Sequence, residues 1–190
     1  GLCGLAFSAS LAFMKRKMAA WMPDPRVRIL LCGALISFLI LLLHQGRYAG
    51  LGTNLIDMSQ GAGEIFWYDW LLKGALTVLT LSAGFQGGEV TPLFSIGASL
   101  GAVLAPAFGL SAASGAALGY ASVFASASNT LIAPILIGAE VFGLQALPFF
   151  VVSVAFSRLF NHGRSIYPQR GNSGVSGGEN GNIRPSSEKD

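Results

Sequence analysis

Three groups of residues in this sequence have types and spacing suited to chemistry. The first is Gly87-Gly88-Glu89-Val90-Thr91-Pro92. Paired glycines allow a tight backbone turn, and proline suits the first turn of a helix. A helix starting here presents free amides and the positive end of its dipole, an arrangement that binds anions. The Thr91 hydroxyl adds a donor. The same residues also describe a glycine hinge beside a helix start, and the local sequence leaves both readings open. Glu89 stands in an apolar run, where a carboxyl is costly to ionise and is suited to loading and unloading protons. Its alternatives are a solvated vestibule or an ion pair with a distant Lys or Arg.

The second group, Gly97-Ala98-Ser99-Leu100-Gly101, fits the Gly-x-Ser-x-Gly pattern of a nucleophilic serine. That chemistry needs a strained turn and a base within hydrogen-bond reach. Here the pattern falls inside an apolar helix beginning near Pro92, and both histidines, His44 and His162, lie in polar boundary segments. An intramembrane serine hydrolase is carried as the alternative, because a fold brings distant residues together. The third group is Glu140 and Tyr167. Glu140 reads as a structural acid capping a neighbouring helix. Tyr167, after the last hydrophobic segment, reads by itself as packing or an interface anchor.

The elements that must position these groups belong to a membrane. Of 190 residues, 52% are apolar and only 11% are charged, against about 25% charged in an ordinary soluble domain. Between Gly74 and Ser157 the only charged side chains are Glu89 and Glu140. This excludes a water-faced globular fold, and disorder for most of the length. The net charge of +3 comes from clusters, and no nucleic-acid-binding pattern accompanies it. Cys3 and Cys32 lack the spacing of a redox or metal motif and read as packing residues, so neither a metal nor a cofactor is expected.

Along the chain, apolar residues 1–14 stop at Lys15-Arg16-Lys17, and residues 15–28 carry five basic side chains against Asp24. This basic loop is expected on the cytoplasmic side. A second apolar run covers residues 29–43, and Glu64-Ile65-Phe66-Trp67-Tyr68-Asp69-Trp70 suits a membrane-interface belt, or else ordinary core aromatics. From residue 71 to 160, Gly84, Gly87, Gly88, Pro92, Pro106, Gly109, Pro134, Gly143 and Pro148 cut the chain into pieces. Many are too short for an upright span, as in transporters whose broken helices surround an ion site. Gly97-xxx-Gly101 and Gly115-xxx-Gly119 allow close helix approach. Residues 171–190, rich in Gly, Ser and Asn, read as a disordered polar tail.

Four motifs in this order resemble the second half of a CLC-type chloride channel or anion/proton antiporter. The segment Gly87–Pro92 is similar to the family's helix-N motif, usually Gly-Gly-Ile-Phe-Ala-Pro in chloride members. Gly50-Leu51-Gly52-Thr53-Asn54-Leu55-Ile56 resembles a glycine-rich loop of the same half. Ala133-Pro134 followed by Glu140 resembles helix P, and Ser165-Ile166-Tyr167 falls where the family carries an anion-coordinating tyrosine. Glu89 and Thr91 within the motif, and Ser128-Asn129-Thr130 before Ala-Pro, resemble the fluoride-exporting branch.

The resemblance implies an all-α polytopic membrane protein. Residues 1–170 would form the second inverted-repeat half, truncated at the N-terminus, since the first half's Gly-Arg-Glu-Gly-type gating motif is not found. It implies anion transport and no enzyme activity: fluoride/proton exchange that exports fluoride, with a chloride channel or chloride/proton antiporter as the alternative. The implied anion contacts are Gly88, Glu89, Val90, Thr91 and Tyr167, with Glu89 as the proton-coupling acid. The implied partners are fluoride or chloride, protons, the lipid bilayer and a second copy meeting through residues 131–160, but no nucleic acid. The implied location is the inner membrane, with a cytoplasmic C-terminal tail.

Overall fold

Prolines stand in the first turns of four helices, where a missing N–H costs nothing and a fixed φ is already helical. They are Pro25 in α2, Pro92 in α5, Pro134 in α7 and Pro148 in α8. The computed structural model describes residues 1–161, 165 and 166. Its helices are α1 (Leu2–Trp21), α2 (Pro25–Leu42), α3 (Thr53–Asp57), α4 (Asp69–Ala83), α5 (Val90–Leu104), α6 (Ala112–Ser128), α7 (Ile132–Phe142) and α8 (Leu147–Leu159). A 3-10 turn, Ala105–Phe108, extends α5 until Gly109 turns left-handed. Among the described residues two stretches, Pro25–Leu42 and Val90–Phe108, are long and apolar enough to cross a membrane. Helix α1 is as long but carries Lys15-Arg16-Lys17, and α3, α4, α6, α7 and α8 are shorter, as the punctuation by Gly and Pro predicts.

The centre of the fold is the antiparallel pair α5 and α6. Gly97 faces Gly119 and Gly101 faces Gly115, and a Cβ built at any of the four would strike the facing backbone carbonyl. The two Gly-xxx-Gly faces therefore pack on each other. Around them Phe94 stacks on Tyr120 at 4.0 Å between centroids, and Phe124 meets Phe94 edge-on at 4.9 Å. Helix α1 leans on α4 and α6, α2 on α4, and α7 and α8 on α6. Serines tie these layers where apolar packing alone is weakly directional: Ser157 Oγ donates to Ser122 O at 2.5 Å and Ser8 Oγ to Ala127 O at 3.2 Å. Cys32 is buried beside Met18, Ile36 and Ala83, and Cys3 is half-buried, both as packing residues.

The loop between α2 and α4 is held by a buried polar cluster. Asp69, fully buried at the start of α4, accepts from Arg47 Nη2 at 2.7 Å and Nε at 3.2 Å, from the Tyr48 hydroxyl at 2.6 Å, and from the Phe66 amide at 2.9 Å. Burial, and then the bond to Asp69, raises the Tyr48 phenol above its ordinary range. Four directed bonds to one charged acceptor are worth far more than exposed ion pairs. Asp69→Asn keeps the shape, loses the charge and turns a donor toward donors. We expect it to cost about 2 kcal/mol, read as a lower thermal unfolding midpoint; an unchanged midpoint would show that the cluster does not hold the loop.

The interface aromatics divide between the two expectations. Trp67 is exposed, whereas Phe66 and Tyr68 stack with His44 and Trp70 packs against the core. Glu140 departs from its expectation. It is exposed near the C-terminal end of α7 and caps no helix among the described residues. A helix C-terminus already carries negative partial charge, so this end of α7 gives the carboxylate no favourable cap to make on its own helix.

Candidate functional site

Helix α4 ends at Gly84, whose φ of 102° is left-handed, a common helix stop. The last carbonyls there need donors, and Arg28 Nε of α2 supplies one to Ala83 O at 2.9 Å. The chain then runs without regular structure to Glu89, the residue preceding α5. Neither Gly87 nor Gly88 adopts a left-handed φ, and both face open space. The expected tight turn is therefore not made by these glycines. Gly84 supplies the left-handed residue instead.

Helix α5 begins at Val90, with Thr91 second and Pro92 third. The first intrahelical bond seen is Leu93 N to Glu89 O at 3.2 Å. The amides of Val90 and Thr91 belong to the orphan donors of the first turn, and Pro92 has none to offer. Among the described residues no side chain caps this end. A fifteen-residue helix thus presents uncapped amides and a hydroxyl at one place, the arrangement an anion needs.

The Glu89 carboxylate is neither deeply buried nor alone. Its side chain is 20% exposed and lies 3.8 Å from Lys15 Nζ of α1, itself 48% exposed. The fold thus gives Glu89 a distant lysine as partner, a contact between two partly exposed groups. Lys15 and Arg28 both come from the basic stretch 15–28 and flank residues 84–89 from two helices. Their contribution was not read from the sequence, because a basic loop announces a membrane side but not a partner.

The end of α6 lies beside the start of α5, since the two helices run antiparallel. There Asn129 turns left-handed at φ 55° and Ser128 Oγ meets Thr130 Oγ1 at 2.7 Å. Ser165 Oγ donates to Ser128 O at 2.8 Å and Ile166 N to Ala127 O at 2.9 Å. The fold therefore brings Glu89, Val90 and Thr91 to the same end as Ser128-Asn129-Thr130 and Ser165-Ile166. Tyr167, His162 and the tail 171–190 lie outside the described residues.

Ser99 is in no position to act as a nucleophile. It is fully buried within α5, donates to Ser95 O at 2.5 Å and has α6 packed over Gly97 and Gly101 on either side. The Gly-x-Ser-x-Gly spacing serves helix packing, not an exposed strained turn.

The sequence matches the family described as voltage gated chloride channel over residues 1–162. It is similar to a chloride/fluoride channel protein of Pseudomonas syringae pv. tomato, at 37% identity over 177 residues, covering 88% of this chain and 38% of the relative. Its fold is similar to the crystal structure of a CLC-type fluoride/proton antiporter, with a TM-score of 0.86 and 56% identity, covering 88% of this chain and 42% of that one. The chain thus spans about two fifths of the length of these relatives. What the four motifs suggested as a resemblance holds along the helices: the chain belongs to the voltage gated chloride channel (CLC) family, of all-α polytopic membrane architecture.

Proposed function

We propose that the protein containing this chain exchanges fluoride for protons and so exports fluoride. The observation that carries this reading is the uncapped start of α5 with Glu89 and Thr91 on it. Fluoride is small and strongly hydrated, so it surrenders water only to several short hydrogen bonds from amides and hydroxyls. The backbone around Gly88, Glu89 and Val90, the Thr91 hydroxyl and Tyr167 are the proposed donors, and Glu89 is the proposed coupling acid. The antiporter of similar fold is described as exchanging fluoride and protons.

Chloride transport is the second reading, because the Pseudomonas relative is described by both ions. Liposomes holding the full-length protein are expected to release fluoride with accompanying proton movement, and to release chloride far more slowly. Strong chloride release without fluoride release would overturn the fluoride reading.

A homodimer through α7 and α8 is part of the proposal. Ile132, Leu136, Phe149, Val152 and Phe156 leave an exposed apolar face there. The proposal puts the Glu89 end and the tail on the cytoplasmic side of the inner membrane, a side that the basic stretch 15–28 favours.

A further inference from the structure

Lys73 is the buried charge that the site described so far does not use. It sits one turn into α4 and is 2% exposed. Its ammonium donates to Tyr48 O at 3.0 Å and to Gly50 O at 2.7 Å. Both partners are neutral carbonyls. Among the described residues no carboxylate comes within ion-pair distance of it. Asp69, one turn earlier, is already engaged by Arg47, Tyr48 and the Phe66 amide.

A buried ammonium without a counter-charge is expensive, and in a membrane protein such a residue marks an ion pathway more often than a structural tie. The direction in which Lys73 lies is informative. Gly52, held left-handed at φ 84°, is wedged so that a Cβ there would sit 2.8 Å from Lys73 Cε and 2.6 Å from Ser95 Oγ. Lys73 therefore reaches α5 at Ser95, and Ser95 lies one helical turn beyond Thr91 on the same face. That places the ammonium about 10 Å from the first turn of α5.

We propose that Lys73 is the fixed counter-charge of the transported anion. It is a positioning residue that acts at a distance: its positive field adds to that of the α5 amides and holds the anion at Thr91 without touching it. The loop carbonyls of Tyr48 and Gly50 keep the ammonium from collapsing onto the site. This inference rests on the reading of α5 as the anion site. At about 10 Å in a weakly polar surrounding, one unit charge changes anion affinity by about tenfold.

The test uses the full-length protein in liposomes. Lys73→Gln keeps a donor for the loop carbonyls and removes the charge, Lys73→Met removes both, and Lys73→Arg keeps the charge. The expected result is a rise of about tenfold in the fluoride KM for the Gln and Met variants, with a maximal rate that changes much less. The Arg variant should return KM to within about threefold of the parent. A purely structural lysine would instead lower the amount of folded protein and leave the KM of what folds unchanged, and that result overturns the proposal. Should neither neutral variant fold, Lys73→His decides: a fluoride KM that rises relative to the parent's as rising pH removes the imidazolium charge supports the counter-charge, and a KM that follows the parent's at every pH overturns it. If the parent protein itself moves no anion, the reading of α5 fails and not the assignment of Lys73 alone.

Discussion

Glu89→Gln is expected to slow fluoride-driven proton movement by about a hundredfold while leaving the fold intact. The argument begins with what the substitution keeps. Gln has the shape of Glu and still accepts a hydrogen bond, so the residue before α5 retains its local geometry. The ion pair it loses, Glu89 with a half-exposed Lys15 at 3.8 Å, contributes about 1 kcal/mol at most to stability. What disappears is the only carboxyl at the start of α5 among the described residues, and a positioned acid or base typically carries a factor of about 100 or more in a proton-transfer step. Simultaneous recording of fluoride efflux and proton uptake by liposomes measures the effect. Parental proton movement in a well-folded Glu89→Gln protein would remove Glu89 from the coupling role, and the search would move to other acids of the full-length protein.

Gly101→Ala is expected to be among the most destabilising single-methyl additions in the chain, at about 3 kcal/mol, and Gly101→Leu to prevent folding. A Cβ at Gly101 would strike the carbonyl of Gly115 and come within 3.2 Å of Gly119 Cα. The atoms it meets are backbone, which cannot rotate away as a flexible side chain can, so the helices must separate. Overpacking costs about 1–3 kcal/mol where side chains can adjust, and the upper end applies here. Separation would also loosen the Phe94 and Tyr120 stack and shift the end of α6 from the start of α5. Loss of fluoride transport should therefore accompany loss of stability. Gly74→Ala is the control, because its added methyl meets only Ile96 Cδ1 at 3.8 Å, an ordinary contact. Thermal unfolding in detergent compares the three. Equal midpoints for Gly101→Ala and Gly74→Ala would mean that the helices are not in backbone contact.

Much of the site could be read locally. Pro92 and the residues before it mark a helix start whose amides lack partners, and that is a property of five or six consecutive residues. The broken helices could be read for the same reason, since a proline in a first turn or a glycine at a helix end acts within its own turn. Both Gly-xxx-Gly segments could be recognised as close-approach faces, but nothing in either says that it meets the other. Glu140 suggests a cap in sequence and is exposed in the fold, because an acid in an apolar segment does not reveal which way its helix turns it. The serine pattern fits a nucleophile's spacing but serves packing, since spacing alone does not distinguish a strained turn from a buried helix face.

The sequence by itself determined an all-helical membrane chain of broken helices, with a helix start suited to an anion and a carboxyl beside it. Composition, hydrophobic run length and first-turn residues suffice for that, because each acts over a few neighbouring positions. Tertiary structure alone decided that Lys15 pairs with Glu89 across 74 positions, that Arg28 closes α4, and that Lys73 lies buried with no carboxylate within ion-pair distance among the described residues. Charges interact through space according to distance and burial, and only the packing of α1, α2 and α4 around α5 sets which distant side chains come within reach.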